Sequence, residues 1–89
     1  MKKQNLKIIF YGAPWCPDCR MSKQFLDQNQ IEYEYINIEE NPEMTKVVEK
    51  INNGLRSIPT IIFPNEEILV EPDNNELEEA LIRNGYKLS

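Results

Sequence analysis

Four bulky residues in succession, Ile8-Ile9-Phe10-Tyr11, run into Gly12-Ala13-Pro14 and then into a close cysteine pair, Cys16 and Cys19. A strand that is apolar on both faces needs cover on both faces, so this run reads as the central strand of an α/β sheet. The extended segment is placed at Leu6–Tyr11. Gly12, Ala13 and Pro14 are read as its end, and a helix begins at the cysteines with Pro17 in the first turn, where a missing N–H costs nothing. Met21, Phe25 and Leu26 mark a buried face of that helix, and Asn29 offers an exit.

The rest of the chain alternates in the same manner. Ile31–Ile38 reads as a strand with Ile31, Tyr33 and Tyr35 on one face and Ile36 and Ile38 on the other. Asn41-Pro42 predicts an N-cap followed by Pro at the first helical position. Met44, Val47, Val48 and Ile51 then follow helical spacing, with Gly54 at C′. Thr60–Phe63 and Glu67–Glu71 flank the turn Pro64-Asn65-Glu66, which makes them an antiparallel hairpin. Pro72-Asp73 opens a last helix in which Asp73 and Glu76 have capping-box spacing, Leu77, Ala80 and Leu81 are buried, and Gly85 ends the element. The order β-α-β-α-β-β-α implies a right-handed parallel βαβ unit joined to a hairpin and a helix. The solution is a four-stranded mixed sheet with three helices. With 89 residues, the whole chain, 1–89, reads as one domain.

Composition narrows the chemistry. There is no histidine, which removes His metal ligands, His general bases and Ser-His-Asp triads. A formal charge of -5 opposes binding to a phosphate backbone. No apolar stretch approaches membrane-spanning length. Met1-Lys2-Lys3 before the apolar run resembles a leader only faintly, because Lys7 interrupts it. A cytoplasmic monomer is therefore expected, with neither nucleic acid nor membrane as partner.

Two cysteines can build neither a disulfide framework nor a four-ligand zinc site. Three positions apart at a helix start, Cys16 and Cys19 share one face, and a ring this small is a poor staple. Redox chemistry is the better use. The free N–H groups and positive dipole end of the helix favour a thiolate at Cys16. Cys19, one turn further in, keeps its proton more firmly. Cys16 is thus the candidate nucleophile and Cys19 the resolving thiol. Asp18 between them opposes a thiolate if it points inward.

With these residues in view, the chain resembles the glutaredoxin branch of the thioredoxin superfamily over nearly its whole length. The resemblance rests on the strand before Cys16, on Cys16-Pro17-Asp18-Cys19, on the element order, and on Ser57-Ile58-Pro59, which is similar to the family's T-V-P loop. It implies a cis Ile58-Pro59 peptide facing the cysteines, where the Ile58 backbone pairs with an extended thiol peptide. It also implies a substrate surface drawn from Tyr11, Trp15, Pro17, Arg56, Ser57, Ile58, Pro59 and Asp73. Arg56 would meet a carboxylate, and Asp73 an amino group while capping its helix. Two features depart from glutathione-using members. Ala13 stands where a Lys is usual, and Glu71-Pro72 stands where a Gly-Gly is usual. Ala13-Pro14-Trp15-Cys16 looks more like thioredoxin, although Phe10 takes the place of that family's buried acid. The pattern is similar also to mycoredoxins and to the small redoxins that serve ribonucleotide reductase.

The expected activity is dithiol reduction of protein disulfides, or of mixed disulfides with small thiols. No bound cofactor or metal is expected. Electrons would come from glutathione or another low-molecular-weight thiol, or from a flavoprotein reductase. Two other classes fit less well. One is an iron-sulfur cluster-binding or delivery protein, which Pro17 disfavours; the other is a redox-switched interaction module. The acidic residues Glu32, Glu34, Glu39, Glu40, Glu66 and Glu67 are read as solvated surface.

Overall fold

The strand Ile8–Gly12 (β1) lies inside a four-stranded sheet of order β2-β1-β3-β4, as its two apolar faces require. The computed structural model describes residues 7–89; the Leu6 end of the expected strand and the leader-like Met1-Lys2-Lys3 lie outside them. The other elements are α1 (Pro17–Gln28), β2 (Tyr33–Asn37), α2 (Pro42–Ile51), β3 (Thr60–Ile62), β4 (Ile68–Val70) and α3 (Asn74–Arg83). β1 pairs in parallel with β2 and antiparallel with β3, and β3 pairs antiparallel with β4. The element order and the mixed sheet agree with the pattern in the sequence.

Strand alternation divides β1 between two cores. Ile8 and Phe10 join the larger cluster with Leu26, Ile31, Ile61, Phe63, Leu77 and Leu81. Tyr33 and Tyr35 lay their rings beside Phe10, at centroid distances of 5.7 and 5.5 Å. On the other side, Tyr11 packs with Ile38 and Val48, and Ile36, Met44 and Ile58 close around them.

Several local details differ from the sequence pattern. The buried residues of α1 are Cys19, Ser22 and Leu26, whereas Met21 is half exposed. Spacing of three and four from Cys19 fixes that face, and Met21 falls off it. Gly12 is still part of the strand, pairing with Asn37 as the last residue of β1, so the strand runs one residue past Tyr11 before Ala13 and Pro14. Asn41 sits at the N-cap of α2 but makes no side-chain cap, because its amide donates to the Asn37 carbonyl at 3.1 Å. At the other end of α2 the left-handed C′ residue is Asn53 (φ 57°), and Gly54 (φ 93°) follows it, donating to the Glu49 carbonyl in a Schellman arrangement. β4 is shorter than Glu67–Glu71, with Ile68 and Val70 outward and Leu69 against the core. The capping box at α3 forms as the spacing predicts: Asp73 accepts from the Glu76 N–H, and the Glu76 carboxylate accepts from the Asp73 N–H.

Candidate active site

The site begins with a helix start. Pro17 is the first residue of α1, and Cys16 is its N-cap in extended conformation. The Cys16 sulfur takes the place of the usual Ser or Asp oxygen and accepts the Cys19 backbone N–H at 3.2 Å. The Cys16 carbonyl accepts from Arg20 N, so the first turn is closed around the sulfur. Any negative charge on Cys16 therefore meets a directed N–H donor and the positive end of a 12-residue helix. Both cysteines are free thiols. Cys16 is 6% exposed and Cys19 1%.

The two sulfurs are chemically unequal. Burial pushes the Cys19 thiol up to about 12. Its contact with the Cys16 sulfur acts in the same direction, as do the charges of Cys16 and Asp18, while the Ala13 backbone opposes them. Cys19 is packed where a side chain on Gly12 would stand: a β-carbon built there would lie 3.0 Å from the Cys19 sulfur and 2.9 Å from the Phe10 ring. Gly12 is thus part of the site's construction, and the sequence pattern alone placed it only as a strand end. A cavity of about 250 Å³, lined by Ala13, Pro14, Cys19, Arg20, Lys23 and Tyr35, borders the same thiol. Its lining includes neither Cys16 nor the Ser57–Pro59 turn.

The second wall of the site is the segment before β3. The Ile58-Pro59 peptide is cis, and the Ile58 carbonyl lies 4.0 Å from the Cys16 sulfur. The turn is held from below by side chains. The Thr60 hydroxyl, fully buried, donates to the Ser57 carbonyl at 2.7 Å, and the Asn52 amide donates to that hydroxyl at 3.1 Å. The Pro59 carbonyl accepts from Glu71 N at 2.8 Å, which ties the loop leading to α3 to the same turn. Thr60 and Asn52 were not expected at the site. The only signal for them is their position either side of Ser57-Ile58-Pro59.

The remaining expected residues fall into three groups. Trp15, 56% exposed, and Pro17, also exposed, flank Cys16 directly. Tyr11 is interior, 7% exposed, in the cluster that also holds Ile58. Strand alternation turns it to the α2 side of the sheet, so it supports the turn through packing and offers little open surface. Asp73 comes to the site only through the loop that Glu71 ties to Pro59, and its carboxylate is engaged in the α3 cap.

Glu39 corrects the sequence reading most. Expected as plain solvated surface, it accepts a hydrogen bond from the Trp15 indole and lies 3.9 Å from the Arg56 guanidinium. One carboxylate therefore touches the residue before Cys16 and the residue before Ser57.

The comparisons agree with this geometry. The sequence model of the glutaredoxin family matches residues 8–70, which include both cysteines and the Ser57–Pro59 turn. A glutaredoxin-named protein of Mycobacterium tuberculosis is 30% identical over 76 residues, spanning 85% of this chain and 90% of its own. Mycoredoxin 1 of Corynebacterium glutamicum is 33% identical over 56 residues, which span 63% of this chain and 68% of that relative. Among solved structures, a glutaredoxin of Archaeoglobus fulgidus superposes with a TM-score of 0.70 at 28% identity, covering 88% of this chain and 87% of its own. The fold is thioredoxin-like, and the chain belongs to the glutaredoxin family.

Proposed function

We propose that this protein is a dithiol oxidoreductase that reduces protein disulfides, or mixed disulfides of proteins with small thiols. The observation that carries this reading is the Cys16 sulfur at the N-cap of α1, accepting the Cys19 N–H at 3.2 Å beside a second thiol held protonated. The Cys16 sulfur anion attacks one sulfur of the substrate disulfide. A mixed disulfide forms, the substrate S–S bond breaks, and the departing thiolate takes a proton from water. Cys19 then gives up its proton and attacks the Cys16 sulfur. The second substrate thiol leaves, and the protein is left with a Cys16–Cys19 disulfide, two electrons poorer. Two equivalents of glutathione or another low-molecular-weight thiol, or a flavoprotein reductase, return those electrons. Neither step needs a metal or a flavin within the chain.

Cys19 suits its role because a neutral buried thiol does not compete as first nucleophile. Once Cys16 is in the mixed disulfide, its charge no longer raises the Cys19 pKa, and the resolving attack becomes easier. In this reading Trp15, Pro17, Arg56, Ser57 and Ile58 form the substrate surface, with the Ile58 backbone pairing to an extended peptide, while Pro59, its side chain fully buried, shapes the turn from inside. Asp73 lies at its edge. We propose a cytoplasmic monomer; no helix among the described residues is long and apolar enough to cross a membrane.

The test is direct. Cys16→Ser abolishes turnover in a disulfide-reduction assay. Cys19→Ser accumulates a covalent adduct with the substrate, seen as an added mass on the intact protein. Full activity of Cys16→Ser refutes the assignment. Offering the oxidised protein glutathione, other small thiols and a thioredoxin-reductase-type flavoprotein, and comparing reduction rates, identifies the reductant.

A further inference from the structure

The two loops that frame the Cys16 sulfur meet at one acidic side chain. Glu39 follows β2 in the turn that carries Ile38, and its own N–H donates to the Asn37 side chain at 2.9 Å. Its carboxylate receives the Trp15 indole N–H from one loop and faces Arg56, 3.9 Å away, from the other. Side-chain exposures of 43% for Glu39 and 48% for Arg56 leave both open to an incoming peptide. Arg56 is the cation on the Ile58-Pro59 side of the sulfur, and Glu39 already balances it. Asp18, exposed in the first turn of α1, adds a second negative charge whose field reaches Cys19.

From this arrangement we infer that Glu39 is a specificity-determining residue. It selects protein disulfides flanked by Lys or Arg and disfavours anionic substrates. The inference rests on the oxidoreductase reading above and names its substrate class. A substrate carboxylate finds Arg56 already paired and must compete with Glu39 for it. A substrate ammonium or guanidinium finds the open side of the Glu39 carboxylate. The indole contact matters too, because it holds the carboxylate at the mouth of the site instead of letting it swing into solvent. Charges placed at the rim act on substrate choice and encounter more than on the chemical step.

The experiment uses three peptide disulfides that differ only in the residues flanking the cysteine: Lys, Gln or Glu. Wild-type protein is expected to prefer the Lys peptide to the Glu peptide in kcat/KM, with the difference in KM. Glu39→Gln keeps an acceptor for the indole and removes the charge. It is expected to shrink that preference by about 2–5-fold at low salt, the range of one exposed ion pair. Glu39→Asp, which keeps the charge, retains part of the preference. Adding Arg56→Gln to Glu39→Gln should cancel the gain that the Glu peptide makes in Glu39→Gln alone. If Glu39→Gln leaves the Lys-to-Glu ratio unchanged while all three peptides are reduced, the inference falls and the oxidoreductase reading stands. If wild-type protein reduces none of the peptides, both fall.

Discussion

Replacing Gly12 by Ala tests how tightly the resolving thiol is built into the sheet. The added methyl would lie 2.9 Å from a Phe10 ring carbon, 3.0 Å from the Cys19 sulfur and 3.4 Å from the Cys19 β-carbon. Comfortable carbon contacts are about 3.5–4.0 Å, so a neighbour must retreat by about half an ångström or more. Neither has room. Phe10 is fully buried in the larger core and Cys19 is 1% exposed. Overpacking of a core costs about 1–3 kcal/mol, and loss of glycine's freedom in the unfolded chain returns about 0.4–1 kcal/mol of that. A net loss of about 1–2 kcal/mol is expected. For a domain of this length that corresponds to a fall in Tm of roughly 5–15 °C. Urea unfolding followed by far-ultraviolet circular dichroism should show a lower midpoint at an unchanged slope. Displacement of the Cys19 sulfur should also slow the resolving step, so a mixed disulfide at Cys16 should persist longer than in wild type. A midpoint equal to or above that of wild type would show that the packing around Gly12 is looser than this geometry requires.

Three further outcomes are expected. Thr60→Val removes the donor to the Ser57 carbonyl and an acceptor for Asn52 while keeping the shape of the side chain. It should cost about 1–3 kcal/mol in chemical unfolding and lower turnover by loosening the turn beside Cys16, and an unchanged stability would count against that network. Asp73→Ala breaks the capping box of α3 and should cost about 1 kcal/mol, read as a lower urea midpoint; no change would show that the box contributes nothing measurable. At alkaline pH, folding holds the Cys19 proton more tightly than the unfolded chain does, because the thiol is pushed up from 9.0 to about 12. Its contribution to stability is therefore complete below about pH 9 and is lost as pH rises toward 12. Tyr11, Tyr33, Tyr35 and Tyr86 are raised too, chiefly by the desolvation of buried or partly buried hydroxyls, and add slope of the same sign. Cys19→Ala should flatten the stability–pH curve between pH 9 and 12 by up to one proton, and an unaltered slope would contradict the burial argument.

Much of the molecule was legible because its signals are local. Bulky residues on both faces of Ile8–Tyr11 demand a central strand wherever the chain goes. Pro17 at the first position of a helix and a cysteine one residue earlier define a cap within a single turn. Asp73 and Glu76, three residues apart, satisfy each other without help from the rest of the fold. Local reading failed where one residue decided between two faces, as when Ser22 took the buried position and Met21 did not.

The sequence by itself determined the element order, the cap that holds the Cys16 sulfur and the pairing of two thiols of unequal character, since each depends on neighbours within about one helical turn. Only the tertiary structure decided what surrounds them. Cys16 meets the Ile58 carbonyl across 42 positions of chain, and Trp15 meets Glu39 across 24. Gly12 matters because Cys19 fills the space its missing side chain leaves. Such contacts depend on how the sheet stacks its loops at one end. No spacing rule within a helix or strand encodes that path, so an acidic residue read as plain surface came to join the two walls of the site.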